Sequence, residues 1–457
     1  MPTAKTGCAV AGVITVLSAS GTAMAQGTGG AAYKVGMTLR KFTPSGDFHW
    51  RGSKEHTLRV AIWYPAAAGA NEVAMAVPPA APLWDAGRVA VDAAPAAADR
   101  GFPLVVMSHG TGGAAIQLAW LGVALARRGF VTAAVNHPGN SVEDVSTLEG
   151  FILRWERARD LRAVIDGMLA DKTMSKIVDA RRIGAAGFSL GGFTMMEIAG
   201  GRTDMTEFLR YCADHKEACA PPSEFPNLNE QVKAKARTDA QFRASLQRAG
   251  DSYRDERVRA IFAIAPALGH SFAPASLASI AIPVRIVVGH GDQAAPAEGN
   301  ASYFADSIKG ARLDILPGSV GHYVFLDLPT PKAKKELPHL AVDPVVSTKS
   351  SPTSCGRAVV VVEEAPKARA TSNLASCPIV IRRDRLVPDE LASNALMKTL
   401  GQIVLDEFLD QVPQMALAEY DELIETLVPD GLHESLGVRI TIGAPRRDLH
   451  ALRASCL

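Results

Sequence analysis

The chain has 457 residues, 47% apolar and 21% charged, the balance of an ordinary globular protein, and disorder throughout is excluded. Its 48 Lys and Arg against 47 Asp and Glu leave a net charge of +1, so no basic field argues for nucleic acid as a partner. The 39 Gly and 28 Pro imply many turns and exclude a coiled coil or a helical bundle.

The first residues read as an address. Lys5 supplies a positive start, Cys8 to Leu17 an apolar core, and Ala23-Met24-Ala25 a small-x-small site before Gln26. This is the layout of a cleavable secretory signal over residues 1–25, too short for a membrane span. No later stretch approaches ~18 uninterrupted apolar residues, so the mature chain is expected to be soluble, secreted and periplasmic, with no transmembrane segment. An oxidising compartment permits disulfides. Cys212 and Cys219 lie in one short segment and form the first candidate pair; Cys355 with Cys377 is a second, which leaves Cys456 over. No Cys-x-x-Cys or His-Glu-x-x-His spacing suggests a metal site.

In chain order, Tyr33 to Leu39 and Thr57 to Tyr64 read as strands, and the Ala- and Pro-rich stretch from Ala66 to Arg100 as a long surface connection. An alternation then begins. Leu104 to Met107 is a strand, Ile116 to Arg128 a helix, Phe130 to Val135 a strand, Arg154 to Leu169 a helix and Ile183 to Phe188 a strand, with a helix from Gly191. Arg202 to Arg257 interrupts it as a polar, helical insertion. Val258 to Ala265, Val284 to Val288 and Leu313 to Leu316 continue the strands, with a helix near Ala297 to Ile308. Such alternation predicts an α/β fold with a doubly wound, mostly parallel sheet, its strand C-termini and its site along one edge. The catalytic domain is expected to run over residues 26–330. Residues 331–457 form a C-terminal extension of unassigned role, with amphipathic helices over Asp389 to Leu427.

Gly187-Phe188-Ser189-Leu190-Gly191 fits Gly-x-Ser-x-Gly at the end of an apolar strand and the start of a helix, the setting of a nucleophile elbow. A serine nucleophile needs a base, and the base an orienting acid, in the chain order Ser, Asp or Glu, His. Asp292 in Gly289-His290-Gly291-Asp292 and His322 in Gly318-Ser319-Val320-Gly321-His322 both follow strands and fit that order. His109 and His290 also sit at strand ends but precede the acid. The glycines of His109-Gly110-Thr111-Gly112-Gly113 allow backbone N–H groups to face the site, and the N–H groups of Thr111 and Leu190 are the candidate oxyanion donors. Gly110-x-Gly112-x-x-Ala115 also matches a dinucleotide fingerprint, but the next strand ends Val135-Asn136-His137 without an acid for a ribose.

Trp63-Tyr64-Pro65, Met107-Ser108-His109-Gly110-Thr111-Gly112-Gly113, Asn136-His137-Pro138-Gly139-Asn140, Gly187-Phe188-Ser189-Leu190-Gly191-Gly192, Gly289-His290-Gly291-Asp292 and Gly321-His322-Tyr323 occur in this order. Together they resemble secreted bacterial α/β-hydrolases of the predicted dienelactone-hydrolase group, related to platelet-activating-factor acetylhydrolases. The resemblance covers about residues 33–330. It implies the α/β-hydrolase fold and a serine ester hydrolase with Ser189, Asp292 and His322 as its triad. Two departures stand out: dienelactone hydrolase proper has a cysteine at the elbow, and the strand that carries the acid in the acetylhydrolases ends here Ile264-Ala265-Pro266 without one.

The expectation is therefore a serine carboxylesterase acting on small-molecule or lipid-like esters through an acyl-enzyme, needing neither metal nor organic cofactor, with Arg202 to Arg257 as a helical lid. An amidase or peptidase would share the triad. A non-catalytic binding module on the same fold would be expected to lack one of its residues.

Overall fold

A computed structural model describes residues 32–340, apart from residues 79, 217, 218, 220, 222, 223 and 339. Its strands are β1 (Lys34–Phe42), β2 (Leu58–Ala66), β3 (Val73–Val77), β4 (Trp84–Val91), β5 (Phe102–Ser108), β6 (Val131–Val135), β7 (Val178–Phe188), β8 (Val258–Ile264), β9 (Val284–Gly289), β10 (Arg312–Leu316) and β11 (Leu328–Pro329). They form one sheet in the order β10-β9-β8-β7-β5-β6-β2-β1-β4-β11, with β3 on β4. From β10 to β6 every neighbouring pair is parallel. β2 joins β6 and β1 antiparallel, while β4 lies parallel to β1. With helices on a mostly parallel sheet, this is the α/β-hydrolase fold.

The central strands are buried on both faces, which is why they read as apolar runs: β5 and β6 are buried at every residue, as is the end of β7 from Ile183. The helix Leu190–Ala199 is buried throughout, and Glu156–Ala170 turns Leu161, Val164, Ile165 and Met168 to the core. Parallel strands sharing one direction put the ends of β7, β8, β9 and β10 along one edge.

The Ala- and Pro-rich stretch after Ala66 is not simply a surface connection. Val73–Val77 and Trp84–Val91 pair as antiparallel strands, and β4 also joins β1. β3 has no buried residue, so it lacks the alternation a half-buried strand would show in sequence.

The 202–257 insertion contributes the helices Met205–Asp214, Leu228–Thr238 and Ala240–Gln247. The first two contain no buried residue, whereas Phe242 and Ser245 of the third enter the core. Cys212 and Cys219 are disulfide-bonded. Cys355, Cys377, Cys456, the signal segment and the helices expected over Asp389 to Leu427 lie outside the described residues.

Packing continues past the boundary expected at 330. Thr330 caps the helix Pro331–Glu336, its hydroxyl accepting from the Ala333 N–H at 3.2 Å, and Ala333, Leu337 and Leu340 are buried. Two buried leucines contribute roughly 1.5–3 kcal/mol each. A chain ending at Thr330 should therefore melt roughly 10 °C below one ending at Leu340, as read by circular dichroism. Equal melting temperatures would place the end of the catalytic fold at 330.

Candidate active site

Ser189 stands at the end of β7, half-buried, with φ 55 and ψ −117. A positive φ on a residue with a side chain costs roughly 1–3 kcal/mol and persists only where the surroundings impose it. Here the neighbours do so. A Cβ on Gly187 would strike the Gly191 carbonyl, and one on Gly191 the Ser108 carbonyl, so the turn closes only with glycine on both sides. The Ser189 N–H donates to the Ile264 carbonyl at 2.9 Å, and the Ala267 N–H donates to the Ser189 carbonyl at 3.2 Å, which ties the elbow to the end of β8. The helix Leu190–Ala199 starts at the next residue and aims its positive dipole end at this point.

Asp292 and His322, from the loops after β9 and β10, meet. The His322 Nδ1 lies 2.7 Å from the Asp292 Oδ2, and both side chains are buried. The other carboxylate oxygen, Oδ1, accepts from the Ala295 N–H at 2.7 Å. An ionised carboxylate only accepts, so the imidazole carries its proton on Nδ1 and leaves Nε2 as a base. Two backbone bonds stitch the loops together: His290 N–H to Leu316 O at 2.8 Å and Gly291 N–H to Val320 O at 3.0 Å. The His322 ring packs on Phe188, the residue before Ser189, with centroids 4.7 Å apart. His290 and Glu298 are exposed, and His109 is held within a buried network.

The loop after β5 borders the elbow: a Cβ on Gly110 would lie 3.2 Å from the Ser189 Cβ. Side chains from the loop after β6 hold it. Asn136 Oδ1 accepts from the Ala115 N–H at 2.6 Å and Asn140 Oδ1 from the Gly112 N–H at 3.2 Å. Neither the Thr111 nor the Leu190 N–H meets an acceptor among the described residues.

Beneath this loop lies a buried polar network that the sequence reading did not single out. Arg51 grips Asp160 with Nη2 at 2.8 and 2.6 Å from its two oxygens, and Asp160 Oδ2 lies 2.7 Å from His137 Nδ1. His137 Nε2 faces the Ser108 Oγ at 2.8 Å, and the His137 N–H donates to His109 Nε2 at 3.2 Å. His109 therefore carries its proton on Nδ1 and donates it to the Gly110 carbonyl at 2.7 Å. Burial, with the charge of Arg157 second, pushes both imidazoles well below the usual histidine range, so both are neutral at pH 7. Burial pushes the Asp160 carboxyl up against the pull of Arg51, and pushes Arg157 down to about 9. Ser108, His137 and Asp160 reproduce a Ser-His-acid arrangement, but all three have no solvent exposure, so no substrate reaches them and they brace the loop.

A model of the alpha/beta hydrolase family matches residues 105–333, about half of the chain. Among characterised proteins, Lipase 1 of Moraxella sp. (strain TA144) is 31% identical over 102 residues, 22% of this chain and 29% of the lipase. Cutinase est1 of Thermobifida alba is 33% identical over 103 residues, 22% of this chain and 31% of the cutinase. The chain thus matches under a third of the length of these relatives. A ferulic acid esterase from Streptomyces cinnamoneus aligns in structure over 64% of this chain and 76% of its own, with 22% identity and a TM-score of 0.43. The matched stretch begins inside β5 and ends beyond His322, so it spans the loop after β5, the elbow and the buried acid–imidazole pair, and by that match the chain belongs to the alpha/beta hydrolase family.

Proposed function

We propose that this protein is a serine carboxylesterase of the dienelactone-hydrolase-like group, exported to the periplasm by residues 1–25. The observation that carries the reading is the buried Asp292–His322 pair at 2.7 Å, packed against a strained elbow that carries Ser189. Similarity to a lipase and a cutinase favours an ester bond over other acyl linkages.

In this reading the Ser189 Oγ attacks the ester carbonyl carbon while His322 Nε2 takes the hydroxyl proton. The Thr111 and Leu190 N–H groups receive the oxyanion, and Asp292 stabilises the imidazolium that forms. His322 then protonates the departing alkoxide, and the alcohol leaves an acyl group on Ser189. Water, deprotonated by His322, attacks that acyl carbonyl, and the acid departs as the Ser189 hydroxyl regains its proton. No metal or organic cofactor enters these steps. The helices Met205–Asp214 and Leu228–Thr238, which carry no fully buried residue, act as a lid that sets the acyl preference.

A fluorophosphonate probe should modify the protein once, with peptide mass mapping placing the adduct on Ser189, and p-nitrophenyl esters of graded acyl length should be turned over far faster than the matching anilides. An adduct on any other residue would overturn the assignment. Cell fractionation tests the export.

A further inference from the structure

The Arg157 guanidinium is 1% exposed, yet Nε and Nη1 have no hydrogen-bond partner among the described residues. A buried cation so poorly compensated costs stability, so packing does not account for it. Its Nη2 lies 3.2 Å from both His109 Nδ1 and the Gly110 carbonyl oxygen. Because His109 Nδ1 already bears a proton, the bond goes to the carbonyl. That oxygen accepts three donors in all: His109 Nδ1 at 2.7 Å, Arg157 Nη2 at 3.2 Å and the Gly113 N–H at 3.3 Å.

A trans peptide points its C=O and the following N–H in opposite directions. Drawing the Gly110 oxygen toward Arg157 and His109 turns the Thr111 N–H away from them, in a loop whose Gly110 borders Ser189. Asp160 is ion-paired with Arg51, whereas Arg157 makes no ion pair among the described residues, so its charge lies beneath the loop where an oxyanion would form above it.

We propose that Arg157 is a positioning residue for ester hydrolysis: together with His109 it fixes the Gly110–Thr111 peptide so that the Thr111 N–H is held toward the oxyanion. The inference rests on the serine-esterase reading, with Thr111 as a donor.

The test uses the full chain and four variants, Arg157→Met, Arg157→Lys, His109→Leu and His109→Asn. kcat is expressed per site titrated with fluorophosphonate, so that a loss of folded protein does not count as a loss of catalysis. Arg157→Met should lower kcat about 10- to 100-fold with KM within twofold, less than the ~10²–10³ of deleting an oxyanion donor, because the N–H remains but is mis-set. Affinity for a trifluoromethyl ketone, which binds as a tetrahedral adduct, should fall by the same factor. Arg157→Lys keeps a donor and should lie at least threefold above Arg157→Met. If Arg157→Met fails to fold by near-UV dichroism, the same comparison is made between His109→Leu and His109→Asn, whose amide N–H can replace Nδ1. A kcat per site within threefold of wild type in a folded donorless variant overturns the inference, as does a KM rise equal to the kcat loss. Turnover surviving in Ser189→Ala would instead overturn the esterase reading itself. An inactive Ser189→Ala beside fully active Arg157 and His109 variants would overturn this inference alone.

Discussion

Replacing Ser189 by alanine should lower kcat on a p-nitrophenyl ester by about 10⁵–10⁶ and abolish fluorophosphonate labelling, while the melting temperature stays level or rises. The magnitude is that of removing the nucleophile of a triad, where only the oxyanion site and substrate binding remain. The stability half of the prediction comes from how the elbow is held. Its strained backbone is imposed by Gly187 and Gly191 closing on neighbouring carbonyls and by the Ser189 N–H and carbonyl bonds to β8 and Ala267. None of those contacts uses the hydroxyl, so alanine at 189 removes chemistry and leaves the turn intact. A steady-state assay with a thermal melt decides it. A kcat within tenfold of wild type would move the nucleophile elsewhere.

Asp292→Asn should cost about 10⁴ in kcat through a tautomer change. In the protein, Asp292 Oδ1 accepts from the Ala295 N–H at 2.7 Å and Oδ2 faces His322 Nδ1 at 2.7 Å. An asparagine must keep its carbonyl oxygen toward the Ala295 N–H, which turns its NH₂ toward the imidazole. His322 would then present a lone pair at Nδ1 and carry its proton on Nε2, where it cannot accept one from Ser189. Fold and substrate binding should be unchanged, so KM should stay within about threefold. Glu298→Gln is the control: Glu298 is exposed, and its variant should keep kcat within about twofold. An Asp292→Asn enzyme within tenfold of wild type would remove Asp292 from the mechanism, and a large loss in Glu298→Gln would transfer the role.

Legibility differed from residue to residue. Asp292 and His322 were readable because each follows an apolar strand, and a parallel sheet puts such strand ends on one edge. The strands β3 and β4 were not, since the Ala- and Pro-rich stretch that holds them has no clear alternation; pairing to each other and to β1 supplies what local pattern lacks. Arg157 belongs to no motif and stands among Glu156, Arg159 and Asp160 in a helix to which the sequence assigns no site role. A signal was present: Arg157 lies in helical register with Leu161, Val164 and Met168, all buried, so the stripe that enters the core includes the arginine.

By itself the sequence determined what local interactions dictate. Apolar runs made the central strands, and the glycines beside Ser189 made a turn that only a strand-to-helix elbow satisfies. Tertiary structure alone decided which of the strand-end groups face each other and which polar side chains lie beneath them. His322 finds Asp292 because backbone bonds between Gly291 and Val320 and between His290 and Leu316 align their loops. Arg51 finds Asp160 across 109 residues of chain, once the sheet has removed both from water. A buried charge is costly without a partner, and that partner is set by the folded geometry, so neither its identity nor the loop it braces is written in any short stretch of residues.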